Sequence, residues 1–249
     1  MLCEAGGEPR YDWKLLRAPQ MFSSKKIQPK KMQQRVVSLG GNCMVTMEMR
    51  NYFGIQAANL FDWWITPGDG LVRLIESDFD DLFSPQNLQL VGDRRSVANL
   101  RYGILHHHDF PRNDAEDRVV GITKEHLQRN REKLAYLKKR WDDLGENGAP
   151  VLFLRYGWIM GEPLLAGIPP APIGADETRL IAALDRKFPR LDYEVLFIDC
   201  PELILKHPKV SRRETWIFSQ PGESINASDL TWKDNNVVFS RLFSTVRLR

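Results

Sequence analysis

Apolar residues along this chain fall into short continuous runs and one long helical stripe, and that pattern sets the fold class. Val36-Val37-Ser38-Leu39, Val151-Leu152-Phe153-Leu154 and Glu194-Val195-Leu196-Phe197-Ile198-Asp199 each read as a strand buried on both faces. Between the second and third, helical spacing predicts a helix over about 176–188, so 151–199 reads as a strand–helix–strand unit with parallel pairing. The clearest helix spans roughly 123–144. Leu127, Leu134, Leu137, Trp141 and Leu144 recur at three- and four-residue steps, Thr123 suits its cap, and Gly145, Gly148 and Pro150 close it. A shorter helix follows Thr66-Pro67-Gly68-Asp69, with Leu71, Leu74, Ile75 and Phe79 on one face. Residues 84–100 suggest a hairpin around Gly92-Asp93, and 101–105 a strand running into His106-His107-His108. Thr215–Phe218 and Val237–Phe239 are further strand candidates. The expected architecture is a three-layer α/β fold, a mostly parallel sheet with helices on both faces and a small β insertion near 88–108.

The first strand leads into the most informative stretch. Gly40-Gly41 makes a sharp turn after it, Asn42 is a good helix N-cap, and Met44, Val45, Met47 and Met49 follow as a helix. Cys43 therefore stands where a strand hands over to a helix. Unpaired amides and the helix dipole favour negative charge there, so a thiol is expected to ionise more easily than a free one. The same turn also suits an anion, such as the phosphate of a sugar-nucleotide.

Ligands of open parallel sheets bind outside the carboxyl ends of the strands. This brings Gly40–Cys43, Arg155–Trp158 and Asp199–Pro201 to one edge if the strands are neighbours. Gly41, Asn42, Arg155 and Asp199 thereby become candidate substrate contacts. A thiol nucleophile needs a base, and the 106–108 histidines are the best source. On a strand, His106 and His108 would share a face. Asp62 or Asp199 is the candidate orienting carboxylate. Asp62 lies among Phe61, Trp63 and Trp64, where an unpaired charge is costly, so a partner such as Arg50 or Arg155 is expected, and Trp63 is a candidate pocket wall. Two histidines plus Asp109 could also hold a metal, but no standard short metal motif is complete. No metal and no cofactor is expected.

Composition narrows the setting. The 249 residues carry a formal charge of +3. Eight Lys/Arg and three Asp/Glu fall within residues 1–35, giving +5 there and −2 for the rest. Residues 1–34 read as a mobile basic leader and 35–249 as a single α/β domain. With the basic excess in the leader, nucleic acid is not an expected partner. No apolar run is long enough to span a membrane, no secretory signal core is evident, and three scattered cysteines (Cys3, Cys43, Cys200) suggest no disulfide framework. A cytoplasmic protein acting on a small-molecule or peptide substrate is expected.

Ser38-Leu39-Gly40-Gly41-Asn42-Cys43, Met49-Arg50, Phe61-Asp62-Trp63 and His108-Asp109-Phe110 together resemble a family of uncharacterised bacterial proteins described as putative papain-like cysteine peptidases. The resemblance covers roughly 35–112. It implies Cys43 as nucleophile and His108 as its partner, in the Cys-before-His order of papain-like enzymes. Papain itself carries its cysteine on a long helix without a Gly-Gly strand exit, and packs that helix against an antiparallel domain. The segment before Cys43 has no glutamine for an oxyanion hole, so Asn42 or the 41–44 amides would serve.

Overall fold

The computed structural model describes residues 35–115, 117–146, 148–157, 176–198 and, further on, 239, 240, 242–244, 246 and 248. Three strands form a parallel sheet in the order β1-β6-β7: β1 (Arg35–Ser38), β6 (Val151–Tyr156) and β7 (Tyr193–Ile198). Val37 pairs with Phe153, and Phe153 with Val195. Alternation across the pleat sends these three toward one core, shared with Leu127, Leu137 and Trp141 of α3 (Lys124–Glu146) and Leu180 and Leu184 of α4 (Asp176–Lys187). Val36, Leu152 and Leu196 point the other way. They pack against Val45 and Met49 of α1 (Cys43–Phe53), with Phe239 and Phe243 joining them. Helix, sheet and helix thus form the expected three layers, and strands covered on both faces are mainly apolar for that reason.

The antiparallel part is larger than an insertion near 88–108. Four strands pair in the order β2-β5-β4-β3: β2 (Trp64–Ile65), β3 (Leu88–Val91), β4 (Ser96–Asn99) and β5 (Ile104–His106). The hairpin at Gly92-Asp93 is present, with Gly92, Asp93 and Arg94 all at positive φ. β2 has only two residues and sits inside an aromatic run, so periodicity gives no sign of it. It also joins the two sheets, since Ile65 forms a parallel bridge with Gly41 beyond the end of β1. The 215–218 and 237–238 strand candidates lie outside the described residues, and Phe239 is helical rather than extended.

α2 (Gly68–Glu76) buries Leu71, Leu74 and Ile75 as its spacing requires. Phe79 also reaches the core, from a left-handed turn at φ 65 beyond the helix end. Ion pairs stitch the outer surface. Arg179 of α4 meets Asp69 of α2 at 2.6 Å, and Asp78 takes Lys138 of α3 at 2.8 Å and Lys187 at 2.7 Å. These pairs are largely exposed, so each adds at most about 1 kcal/mol. Among the described residues, no helix is long and apolar enough to cross a membrane.

Candidate functional site

The turn after β1 is built to close tolerance. Gly40 and Gly41 sit at φ 74 and 111, in the region that favours glycine. A Cβ on Gly41 would strike the Tyr156 carbonyl, and one on Gly40 would come within 2.5 Å of Thr66 Oγ1. The Gly41 amide donates to Thr66 Oγ1 (3.0 Å), the Thr66 amide to the Gly41 carbonyl (3.2 Å), and the Tyr156 amide to the Gly40 carbonyl (3.1 Å). Arg155 is buried at the centre of this arrangement. Its guanidinium donates to the Leu39 carbonyl (3.2 Å), Thr66 Oγ1 (3.1 Å) and the Thr66 carbonyl (2.7 Å). Arg155 lies at the sheet edge as expected, and these bonds fasten the turn from beneath. Thr66 carries as much of the turn as either glycine, and nothing in its sequence context marks it.

Asn42 caps α1 by accepting the Met44 amide on its side chain (2.9 Å), which leaves Cys43 as the first residue of the helix. The placement matches the sequence reading, but the acidity of the thiol does not. Burial pushes the Cys43 thiol up from its ordinary value, and the lowering pull of its own backbone amide is smaller. Desolvation therefore outweighs the helix-end effect, and the expectation of an easily ionised thiol is overturned. The thiol is free, and Cys43 is partly accessible to solvent.

Asp62 is fully buried beside the body of α1. Its carboxylate accepts from Arg50 (2.6 Å), the Asn59 amide (2.8 Å) and Thr46 (3.4 Å). The expected Arg50 partner is present. Burial nonetheless pushes the Asp62 carboxyl up, against the pull of those three donors. Thr46 and Arg50 lie three and seven residues beyond Cys43, so Asp62 clasps the flank of α1 rather than its tip. Trp63 continues this contact, with the Arg50 guanidinium 5.3 Å from its ring centre and the His108 ring 5.4 Å away, edge-on.

The histidine run departs from a strand. β5 ends at His106, because the chain turns back so that Asp109 can accept from His106 Nδ1 at 2.9 Å. His106 is buried inside, whereas His108 is exposed, so the two do not share a face. Asp109 also accepts from Trp64 Nε1 (2.6 Å) and Lys133 Nζ (2.7 Å). Burial pushes its carboxyl up, but the His106 hydrogen bond and the Lys133 ammonium outweigh this and hold it well below the usual range. The histidine–carboxylate pair in this structure is thus His106–Asp109, an (i, i+3) spacing that a strand reading of 106–108 hides. His107 takes the Arg112 guanidinium at 3.3 Å, and burial with the neighbouring His108 and Arg112 lowers it to about 3. His108 is lowered as well, by partial loss of water around its ring and by Arg112. Among the described residues, none of the histidines hydrogen-bonds the Cys43 thiol, and no three His, Cys, Asp or Glu side chains are grouped to hold a metal. Asp199, Cys200 and His207 lie outside the described residues.

One titratable group escaped sequence reasoning. Glu48 of α1 is 1% exposed, its Oε1 has no hydrogen-bond partner among the described residues, and burial raises its carboxyl to about 7. Its place in the helix gives no hint of this, since glutamate is an ordinary helix-surface residue.

A family model described as "Putative papain-like cysteine peptidase (DUF1796)" matches residues 34–202. No curated protein and no solved structure matches the chain.

Proposed function

The chain belongs to the family described as putative papain-like cysteine peptidases, and on that premise we propose that it is a cysteine-dependent hydrolase of peptide or small-molecule acyl bonds with Cys43 as nucleophile. The observation that carries this reading is the position of Cys43. It is the first residue of α1, partly open to solvent, at the carboxyl edge of a parallel sheet, on a turn that Arg155 and Thr66 hold rigid. A phosphate cradle is less well supported. The Gly40, Gly41 and Met44 amides already donate to Ser38, Thr66 and Asn42.

Because burial keeps the thiol protonated, it becomes a nucleophile only as a base takes its proton. His108 is the proposed base. Its depressed basicity keeps the ring neutral near pH 7, and it is exposed at the edge of Trp63. In the proposed reaction the Cys43 proton passes to the His108 ring as sulfur bonds to the substrate carbonyl carbon. The carbonyl electron pair moves to oxygen, near the α1 N-terminus. The oxyanion collapses, the bond to the leaving group breaks, and that group takes the proton from His108. Water then attacks the thioester with His108 as base, releasing the acid and returning the thiol. Acyl transfer is the same sequence with another acceptor in place of water. Asp62 acts as a positioning residue, holding Arg50 and the Trp63 segment. Gly41, Asn42, Trp63 and Asp199 are the proposed substrate wall.

The test is covalent trapping with a peptidyl acyloxymethyl ketone, read by intact mass and peptide mapping. One adduct is expected on Cys43, absent from Cys43→Ala and formed about 100-fold more slowly in His108→Gln. Iodoacetamide, which needs only a thiolate, is expected to react faster as pH rises beyond 9 in both wild type and His108→Gln. A wild-type protein that takes iodoacetamide on Cys43 but never the peptidyl reagent would refute a hydrolytic role.

A further inference from the structure

Beneath α3, beside the Asp109 hub, lies a cavity of about 10 Å³. Its walls include Asp109, Asn130, Lys133, Trp63, Phe83 and Leu137. Asn130 is 2% exposed, and among the described residues its Nδ2 has no hydrogen-bond partner. A buried amide donor left without an acceptor costs about 1–3 kcal/mol, so such groups are nearly always satisfied. The acceptor is at hand. Asp109 Oδ1 receives Lys133 Nζ, while Oδ2 receives both His106 and Trp64, so Oδ1 has a lone pair to spare.

We propose that this cavity binds one water molecule, which accepts from Asn130 Nδ2 and donates to Asp109 Oδ1. The volume is that of a single water, and too small for any larger ligand. A cation is disfavoured, because the Lys133 ammonium and the Asn130 amide both bring positive hydrogen toward the space. An apolar occupant would leave Asn130 unsatisfied. The water would tie the middle of α3 to the turn carrying His107 and His108. It adds a fourth contact to a carboxylate that already gathers β2, β5 and α3, and it stands independently of the hydrolase reading.

The test is a water-selective rotating-frame Overhauser measurement on the full-length protein, with a ¹⁵N-labelled side-chain amide at Asn130. A cross-peak between that amide and a slowly exchanging water is expected, together with density for one water bridging the two side chains in a crystal structure. No cross-peak and no density would overturn the proposal, as would a protein acceptor found on Asn130. The variant Asn130→Leu, close in shape, adds an independent reading. With a bridging water it loses two hydrogen bonds and its Tm falls by about 2–4 °C. A rise in Tm would mean that the amide had been unsatisfied in a dry cavity. If Asn130→Leu does not fold, the wild-type cross-peak decides alone.

Discussion

Glu48 gives the sharpest check on how this fold handles charge. The carboxyl is buried on α1 without a partner for Oε1, and its pKa rises from an ordinary 4.5 to about 7. The folded protein therefore binds this proton more tightly than the unfolded chain does. The associated stability is fully present below about pH 4.5 and is lost as pH climbs through about 7. At about 1.4 kcal/mol per pH unit, the interval corresponds to an upper figure of about 3 kcal/mol. A series from pH 5 to 8 spans only part of that interval, which takes the expected change to about 2 kcal/mol. Glu48→Gln keeps the shape and removes the titration. Urea unfolding at pH 5, 6, 7 and 8 should show wild type losing about 2 kcal/mol relative to the variant between the ends of the series. Comparing the two proteins cancels every other titrating group, including His107 and His108. The readout is the change in their difference with pH, so a constant offset from packing does not matter. Profiles that stay parallel within about 0.5 kcal/mol would refute the desolvated carboxyl.

Two further substitutions, with Gly54→Ala as a control, test the supports of Cys43. Gly41→Ala places a methyl against the Tyr156 carbonyl at φ 111 and is expected to cost at least about 3 kcal/mol, whereas Gly54→Ala, at φ 68 in open space, should cost only about 1 kcal/mol. Equal urea midpoints for the two variants would contradict the close packing of the turn. Asp62→Asn leaves the Arg50 guanidinium facing a neutral amide and should destabilise by about 2–3 kcal/mol while shifting Trp63 fluorescence; an unchanged midpoint would show that the clasp contributes nothing.

Much of the fold was legible because burial writes itself into period. The mainly apolar runs at 36–39, 151–154 and 194–199 announced a covered parallel sheet, and the Leu127–Leu144 stripe marked α3 within two residues at each end. The Gly-Gly turn and the Asn42 cap were readable from local chemistry alone. What could not be read depends on contacts distant in sequence. A two-residue strand at Trp64–Ile65 has too few residues to show a period. Arg155 looked like an edge cation facing a ligand, yet three bonds to Leu39 and Thr66 engage it, across separations of 116 and 89 residues. The Cys43 thiol illustrates a competition that sequence does not resolve. The helix start gave the sign of one effect, and the larger opposing one, loss of water, exists only once the chain has folded around it. The Asp109 hub was hidden because alternation was extended two residues past the point where β5 stops.

The bridge between Gly41 and Ile65 also bears on how the molecule assembles. β3 and β4 pair residues 11 apart (Leu88 with Asn99), while β1 and β6 pair residues 116 apart (Arg35 with Val151). Closing the longer loop costs about 2 kcal/mol more in chain entropy, since that cost grows with the logarithm of length. The antiparallel sheet is thus the local unit, and the parallel sheet becomes affordable once the antiparallel one has shortened the span. The Cys43 turn belongs to neither alone. It takes its shape from Ile65 and Thr66 on one side and Arg155 and Tyr156 on the other, so the thiol acquires its environment only when both sheets are in place around it.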